Sequence, residues 1–529
     1  MNTTSSNSTS ELRIGIDVGG TNTDAVVIDA SGAVLKSIKT ATTPEPIDGI
    51  RAALEAVLSG IDRSRVAKAM LGTTHPANAI IQRRDLDRVG VLRLAAPSSL
   101  AVRPGAAWPL DIRSMVIGHA QIIKGGNEYT GAEIAPLDED AVKRFAAEAV
   151  AAGCSAMAVA GAFSPATSDH ELRTAELLAA ELGAGISVSL SHQIGSLGLL
   201  ERENATILNA ALLSVAHRVV SGFERSLADH GLNVDSYLTQ NDGTLMSAAE
   251  ASRFPVLTLG SGPTNSMRGA CALGRIDNAV VIDVGGTSAD VGILVDGFPR
   301  ESSAAVEVGG VRTNFRMPDL ISIGLGGGTV VRSGGRFDPA TFRVGPDSVG
   351  YAVSTEAMCV GGHTLTLSDV SLAAGRLRGF GDPALVAGLD RAVIDAALAW
   401  VDEQISTMCD RMKSSRAAVP LLVVGGGAHL VPNSVAGVSE VIRPTNYAVA
   451  NAFGACIAEA SGAVDRVYSY ESSSRDACLD DARSRAIDAA VRAGCASETV
   501  RITSVVEVPM TYVPGGGCRV LVKAAGPLA

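Results

Sequence analysis

The sequence predicts an α/β protein made of two related halves, and three observations carry that prediction. Apolar runs of strand length alternate with helical patterns of about 10–15 residues, the arrangement of βαβ units with parallel pairing. Ile-Asp-Val-Gly-Gly-Thr occurs twice, at residues 16–21 and 282–287, and each copy is followed by a matching acid, Asp24 or Asp290. Between residues 16–24 and 282–290, seven of nine positions are identical. At 529 residues the chain is also too long for one ordinary core, so two or three domains are expected.

Taken in order, residues 12–18 enter the first glycine turn as an apolar strand, and residues 25–28 leave it. Helical spacing at Ile47, Ile50, Leu54, Val57 and Leu58 follows Pro44 and Pro46. Residues 67–72 form a short buried strand leading to Gly72-Thr73-Thr74-His75, and residues 89–94 form another. Residues 138–152 read as a helix whose acidic start suits the helix dipole. Strand, helix and strand follow at residues 154–163, 169–182 and 185–190. The longest helical pattern spans residues 199–230. Residues 255–262 read as an apolar strand ending in Gly260-Ser261-Gly262-Pro263, just ahead of the second motif. Residues 320–328 repeat the strand and glycine turn, with Gly324, Gly326, Gly327 and Gly328, and residues 367–413 are largely helical. Residues 421–424 form a strand ending in Gly425-Gly426-Gly427, and residues 448–461 a small-residue helix able to pack beneath that turn. Beyond Gly462 come a charged helix, 473–493, and two strands, 500–508 and 518–523, joined through Pro514-Gly515-Gly516-Gly517. This tail is expected as a small α+β appendage. The Ser/Thr/Asn-rich residues 1–11 are expected as a disordered leader with no signal-peptide character. The division is 12–200, 201–465 and 466–529.

The net charge of −11 argues against a nucleic-acid partner, which needs a basic face to displace counterions. It does not argue against a phosphate held by local backbone dipoles. None of the eight cysteines forms a Cys-x-x-Cys pair, so neither a zinc ribbon nor an iron–sulfur site is expected. Reduced thiols of a cytoplasmic protein fit this usage. Two uncharged stretches, 149–168 and 417–439, are broken by glycines and prolines and read as buried strands rather than membrane spans.

The repeated motif carries the chemistry. Gly19, Gly20, Gly285 and Gly286 let the backbone approach a phosphate closely. Thr21, Asn22, Thr23, Thr287 and Ser288 supply polar side chains for phosphate oxygens. Asp17 and Asp283 end the strands just before each turn, where carboxylates hold Mg²⁺ through its waters. Gly425, Gly426 and Gly427 leave room for an adenosine against the backbone, and Gly326 and Gly327 form a further turn of the same kind. Two phosphate turns and an adenosine turn together specify ATP and Mg²⁺.

That order resembles the superfamily of actin, heat-shock chaperone ATPases and sugar kinases. Within it, residues 13–458 are most similar to the hydantoinase A/5-oxoprolinase family. Gly72-Thr73-Thr74 with Ala77-Asn78-Ala79 resembles the family's Gly-Thr-Thr and Thr-Asn-Ala. Ser191-His192-Gln193-Ile194 and Glu201-Arg202 with Leu208-Asn209-Ala210 resemble its Ser-His-Glu-Ile and Glu-Arg…Asn-Ala run. Ser261-Gly262-Pro263, Val344-Gly345-Pro346-Asp347-Ser348 and Asn451-Ala452-Phe453-Gly454-Ala455 match further segments. The chain departs after Ser348, where only Cys359 and Gly361 survive of the family's Pro-Gly-Pro-Ala-Cys-Tyr-Gly, which bears on substrate more than nucleotide.

The resemblance implies two actin-like (ribonuclease H-like) domains flanking an ATP cleft. It implies ATP-dependent ring opening of a cyclic amide, such as a hydantoin, 5-oxoproline or lactam, through a phosphorylated amide. It also implies a hetero-oligomer with a companion subunit of the hydantoinase B type. Asp17, Asp283, Thr73, Thr74 and His75 are the catalytic candidates, with His75 as an acid or base near neutral pH. His192, Glu201 and Arg202 are candidates for the cleft or an interface. Cys359 lacks an identifiable base. The alternatives are an ATP-driven reactivating or chaperone-like subunit, a subunit of an ATP-dependent carboxylase, and a small-molecule kinase; the kinase reading lacks a Cys/His zinc cluster and Glu-x-Gly-His.

Overall fold

The computed structural model describes residues 11–41, 46–302, 306–333, 337–510 and 517–529. Residues 1–10 of the expected leader, Pro44 and the Pro514-Gly515-Gly516 connection lie outside the described residues.

The first motif opens a nine-stranded sheet. Strand Leu12–Val18 pairs antiparallel with Asn22–Ile28, which pairs antiparallel with Val34–Ala41. On its other side Leu12–Val18 runs parallel to Val66–Thr73, which runs parallel to Asp235–Thr239. Large apolar residues alternate along Leu12–Val18 with Arg13, Gly15 and Asp17: one face enters the core, and on the other Gly15 lies against Ala452 and Cys456. Ile14, Ile16 and Val18 share one core with Ile50, Leu54 and Phe223.

The second motif repeats this plan. Ala279–Val284 pairs antiparallel with Ala289–Val295 and parallel with Val419–Val424, which runs parallel to Val438–Ile442. Even the register repeats, with Asp17 opposite Asp24 and Asp283 opposite Asp290. Val280, Ile282 and Val284 pack with Val401, Ile405 and Val423 in a separate core.

Between Val66–Thr73 and Asp235–Thr239 the chain builds a third unit. Ile117–Lys124, Val89–Ala96, Ala156–Gly161 and Ser187–Leu190 form a four-stranded parallel sheet, as the strand–helix alternation predicts. The C-terminal helix Arg475–Arg492 and strands Arg501–Pro509 and Gly517–Gly526 do form an α+β segment. Its strands are hydrogen-bonded through Ala460–Ser469 onto the edge of the first sheet.

Two small-residue helices join the halves. Ser261–Gly274 crosses Ala450–Ile457 so closely that a Cβ on Gly269 would lie 1.9 Å from the Ala450 carbonyl oxygen. A Cβ on Gly454 would lie 1.9 Å from that of Asn265.

Two sequence expectations differ from the structure, and a third, the largely helical 367–413, holds with breaks. Residues 255–262 are helical: a 3-10 turn, Pro255–Thr258, leads into the helix starting at Ser261. A short apolar run does not separate a buried helix from a strand. Here the Gly260 N–H is capped by Asn241 Oδ1 at 2.7 Å, and Pro263 suits a first turn. The long pattern at 199–230 is two helices, Leu199–Ala211 and Leu213–Asp229, bent by 50°. Residues 367–413 form three helices, Leu367–Ala373, Pro383–Val386 and Arg391–Met412. Among the described residues no single helix is long and apolar enough to cross a membrane.

Candidate functional site

Both repeated motifs line one cavity. Asp17, Gly19, Gly20, Thr21, Asn22 and Asp24 enter from the first half, and Asp283, Gly285, Gly286, Thr287, Ser288 and Asp290 from the second. The two turns touch: a Cβ on Gly286 would lie 2.8 Å from Thr21 Cγ2. Each turn closes identically, with Gly19 N–H donating to Asn22 O at 3.0 Å and Gly285 N–H to Ser288 O at 2.9 Å. Among the described residues no hydrogen bond takes up the backbone N–H groups of Gly20, Thr21, Gly286 or Thr287. Unpaired amides in successive residues of a glycine turn can form an anion-binding concavity.

The carboxylates lie at the floor. Asn265 Nδ2 donates to Asp17 Oδ1 at 3.2 Å and Asn451 Nδ2 to Asp17 Oδ2 at 2.9 Å. The next residue, Ser266, donates from Oγ to Asp283 Oδ2. Adjacent positions on one helix thus hold the principal carboxylate of each half. Each also has a glycine where a side chain would collide. A Cβ on Gly72 would lie 2.3 Å from Asp17 Oδ1, and one on Gly425, whose φ is +87°, 2.2 Å from Asp283 Oδ1.

Burial raises the proton affinity of all four acids. It pushes Asp17 up to about 7, with Asp24 adding to the shift, and Asp290 up to about 6. Asp24 and Asp283 are raised by the same cause. Lys39, the one lysine or arginine among the described lining residues, sits 2.7 Å from Asp24 Oδ2. The cavity therefore concentrates negative charge around a single lysine.

The other glycine turns serve chiefly as braces. Gly327 N–H donates to Gly285 O at 3.0 Å, Gly328 N–H to Gly286 O at 2.7 Å and Gly427 N–H to Val284 O at 2.7 Å. Gly326 is not on the cavity wall; a Cβ there would lie 2.6 Å from the Gly286 carbonyl. Gly327, Gly425, Gly426 and Gly427 do line it.

Strand alternation decides the fate of Thr23. Asn22 and Asp24 line the cavity, whereas Thr23 between them points into the interior and is fully buried. Ala289 occupies the corresponding place opposite Val284, which explains why the second copy can lack the hydroxyl. Thr74 lines the cavity; Thr73 and His75 lie behind it. Thr73 Oγ1 and His75 Nδ1 are 3.2 Å apart, and burial lowers the His75 pKa.

His192 and Arg202 belong to a buried network away from the cavity wall. His192 Nδ1 lies 2.6 Å from Glu171 Oε2, and Arg202 Nε donates to Ser191 Oγ at 2.9 Å. Burial favours the protonated Glu171, but His192 and Ser191 outweigh it and lower the pKa. Glu201 is also off the wall. All eight cysteines are free and buried, and burial pushes Cys359 up to about 12, which makes it inert.

Sequence reasoning missed Lys39, Asn265, Ser266 and His429. Lys39 and Asn265 carry no local signature, because each meets its aspartate only through tertiary pairing.

Two halves of shared strand order about one cleft define an actin-like ATPase fold. ATP-dependent caprolactamase from Pseudomonas jessenii has this fold, with a TM-score of 0.74 at 18% identity over 98% of this chain and 88% of that one. The chain belongs to the hydantoinase/oxoprolinase family: residues 13–182 match its N-terminal region and residues 202–380 its hydantoinase/oxoprolinase region. Caprolactamase subunit alpha of Pseudomonas jessenii is 27% identical over 432 residues, 76% of this chain and 60% of that protein. The acetone carboxylase beta subunit of Xanthobacter autotrophicus is 26% identical over 399 residues, 69% of this chain and 54% of that protein. The chain thus spans 60% or less of the length of these curated relatives.

Proposed function

We propose that the chain is the ATP-binding component of an enzyme that opens a cyclic amide such as a hydantoin, 5-oxoproline or lactam. The observation that carries this reading is the convergence of two glycine turns with unpaired amides and four carboxylates, Asp17 and Asp24 buried and Asp283 and Asp290 half-buried, on one cavity.

A triphosphate among four aspartates needs a countercharge, and Lys39 is already taken by Asp24. Asp17 and Asp283 fit Mg²⁺: both line the cavity, and the burial that raises their proton affinity penalises the bare carboxylates that a divalent cation would neutralise. When bound, the ion supplies charge neutralisation at the phosphates. No group of three or more His, Cys, Asp or Glu side chains among the described residues could hold a metal alone. Its remaining ligands therefore come from nucleotide and water, as is usual for Mg²⁺.

Catalysis here is mainly positioning and electrostatics. The amide oxygen takes the γ-phosphoryl group, ADP leaves, and the amide nitrogen gives up its proton. One water adds to the activated carbon, and the ring C–N bond breaks as the nitrogen is protonated. A second water hydrolyses the resulting acyl phosphate. The amides of Gly20, Thr21, Gly286 and Thr287 hold phosphate oxygens. Thr74 faces the reacting group, with Thr73 and His75 behind it.

A companion subunit of the hydantoinase B type is part of this reading. It is supported by the relative's designation as a subunit. The test is to incubate the chain with ATP and Mg²⁺, alone and with that subunit, across hydantoins, lactams, imides and sugars. Ring-opened acid with ADP supports the proposal; a stable phosphorylated sugar sinks it. A second reading, a carboxylase subunit, is favoured by the acetone carboxylase relative. Product that forms only with added bicarbonate distinguishes it.

A further inference from the structure

One wall of the cavity is apolar. Val353, Leu377 and Phe380 line it, and all three pack, half-buried, against one small core of Ala357, Cys359, Leu372 and Val386. They come from two segments. Val353 opens the short helix Val353–Glu356, and Leu377 and Phe380 lie in the loop between helices Leu367–Ala373 and Pro383–Val386. Tyr351, from the same segment as Val353, also lines the cavity and is 64% exposed.

This wall is anchored to two glycine turns. Ser348 Oγ donates to Gly286 O at 3.4 Å, and a Cβ on Gly350 would lie 3.6 Å from Thr287 Oγ1, so the segment carrying Tyr351 and Val353 rests on the second motif. Arg376 Nη1 donates to Leu430 O at 3.3 Å, which ties Leu377 to the 3-10 turn directly after Gly425-Gly426-Gly427. A ligand whose phosphates meet the amides of Gly286 and Thr287 therefore reaches the wall at its other end. In a nucleotide the base alone offers a broad flat face to apolar side chains. Ribose hydroxyls and phosphates lose free energy there unless they find polar partners.

We propose that Tyr351, Val353, Leu377 and Phe380 seat the base of the nucleotide and hold it by apolar contact and stacking, not by hydrogen bonds. This rests on the nucleotide reading above. Val353, Leu377 and Phe380 carry no hydrogen-bonding side-chain atom. Contact of this kind tolerates different bases, since every base has a π-face, and it grows with the area covered. The site then ranks nucleotides by ring size, with little regard to whether a purine carries an amino or an oxo group at position 6. The departure after Ser348 accordingly bears on the nucleotide, because that segment supplies Tyr351 and Val353.

The test is the dissociation constants of ATP, ITP, CTP and inorganic tripolyphosphate, measured by titration calorimetry on the full chain with Mg²⁺. Wild type should bind ATP and ITP within about 3-fold of each other, CTP about 3-fold or more weakly, and tripolyphosphate about 10-fold or more weakly, as contact area falls. Phe380→Ala and Tyr351→Ala should each weaken ATP by about 10-fold, the order of one lost stacking contact, and leave tripolyphosphate within about 2-fold of wild type. Retained tripolyphosphate binding shows that Phe380→Ala has folded, and Tyr351 is exposed enough for its truncation to spare the core. A preference of about 10-fold or more for ATP over ITP overturns the inference by showing that hydrogen bonds select the base. Unchanged ATP affinity in either variant, or tripolyphosphate bound as tightly as ATP, overturns it by removing the base from this wall. Failure of wild type to bind both ATP and tripolyphosphate removes the nucleotide reading itself.

Discussion

Asp17 carries the strongest conflict between stability and chemistry. It is buried between two asparagine amides, Asn265 and Asn451, and burial pushes its pKa up to about 7 from an ordinary 3.8. Between those values the folded chain holds a proton that the unfolded chain has released. The stability of the nucleotide-free protein therefore falls as pH rises through that window. Asp290, raised to about 6, adds in the same direction. Because the lowered His75 pKa works in the opposite direction below about pH 6.5, the comparison is with Asp17→Asn: from pH 5 to pH 8 wild-type Tm should fall relative to that variant's, and parallel pH profiles contradict the assignment. Because protons compete with the cation, Mg²⁺–ATP affinity should strengthen as pH climbs through about 7. Asp17→Asn keeps shape without charge. It should raise Tm at pH 8, flatten the pH slope, and lower ATP turnover by at least about 100-fold, the scale on which a single charge-stabilising group acts. Wild-type turnover in both Asp17→Asn and Asp283→Asn removes the Mg²⁺ assignment.

Helices Ser261–Gly274 and Ala450–Ile457 set the distance between the two carboxylates, since Asn265, Ser266 and Asn451 project from them. Gly269→Ala and Gly454→Ala each place a methyl group on a backbone carbonyl. Each should destabilise the chain by about 2–3 kcal/mol, the upper range for overpacking, and weaken nucleotide binding as well. Gly20→Ala is the contrast: its Cβ meets nothing within 4 Å, so Tm should hold while nucleotide affinity falls. Equal loss of Tm in Gly20→Ala and Gly269→Ala refutes this division of labour. These elements were unequally legible in the sequence. The Asp-x-Gly-Gly-Thr hairpins could be read because their apolar strands and turn glycines are local. The helix at Ser261 was read as a strand because a short apolar run looks the same in either. The bend near Leu212 left no mark, because apolar spacing continues through it.

At the scale of the molecule, the duplicated motif announces two halves, and their shared register confirms that both arise from one plan. The two glycine turns and the placing of Asp17 and Asp283 beside them on one cavity were readable, since the residues lie close along the chain. Asn265 and Ser266 were not, because only tertiary packing brings their helix to the cavity, and Lys39 was not, because it reaches Asp24 through the register of the neighbouring strand; His429 follows the third glycine turn but carries no signature of its own. Gly326 reads in the sequence as part of a binding turn, and in the structure it packs against Gly286 off the cavity wall. The central claim is that one nucleotide between the halves drives opening of a cyclic amide with a companion subunit. The most direct measurement is the stoichiometry of ADP and ring-opened acid formed by the two subunits together. One ADP should form per ring opened, with neither product formed when ATP or the amide is omitted. ADP released at the same rate without any amide, or ring opening without ATP, contradicts it.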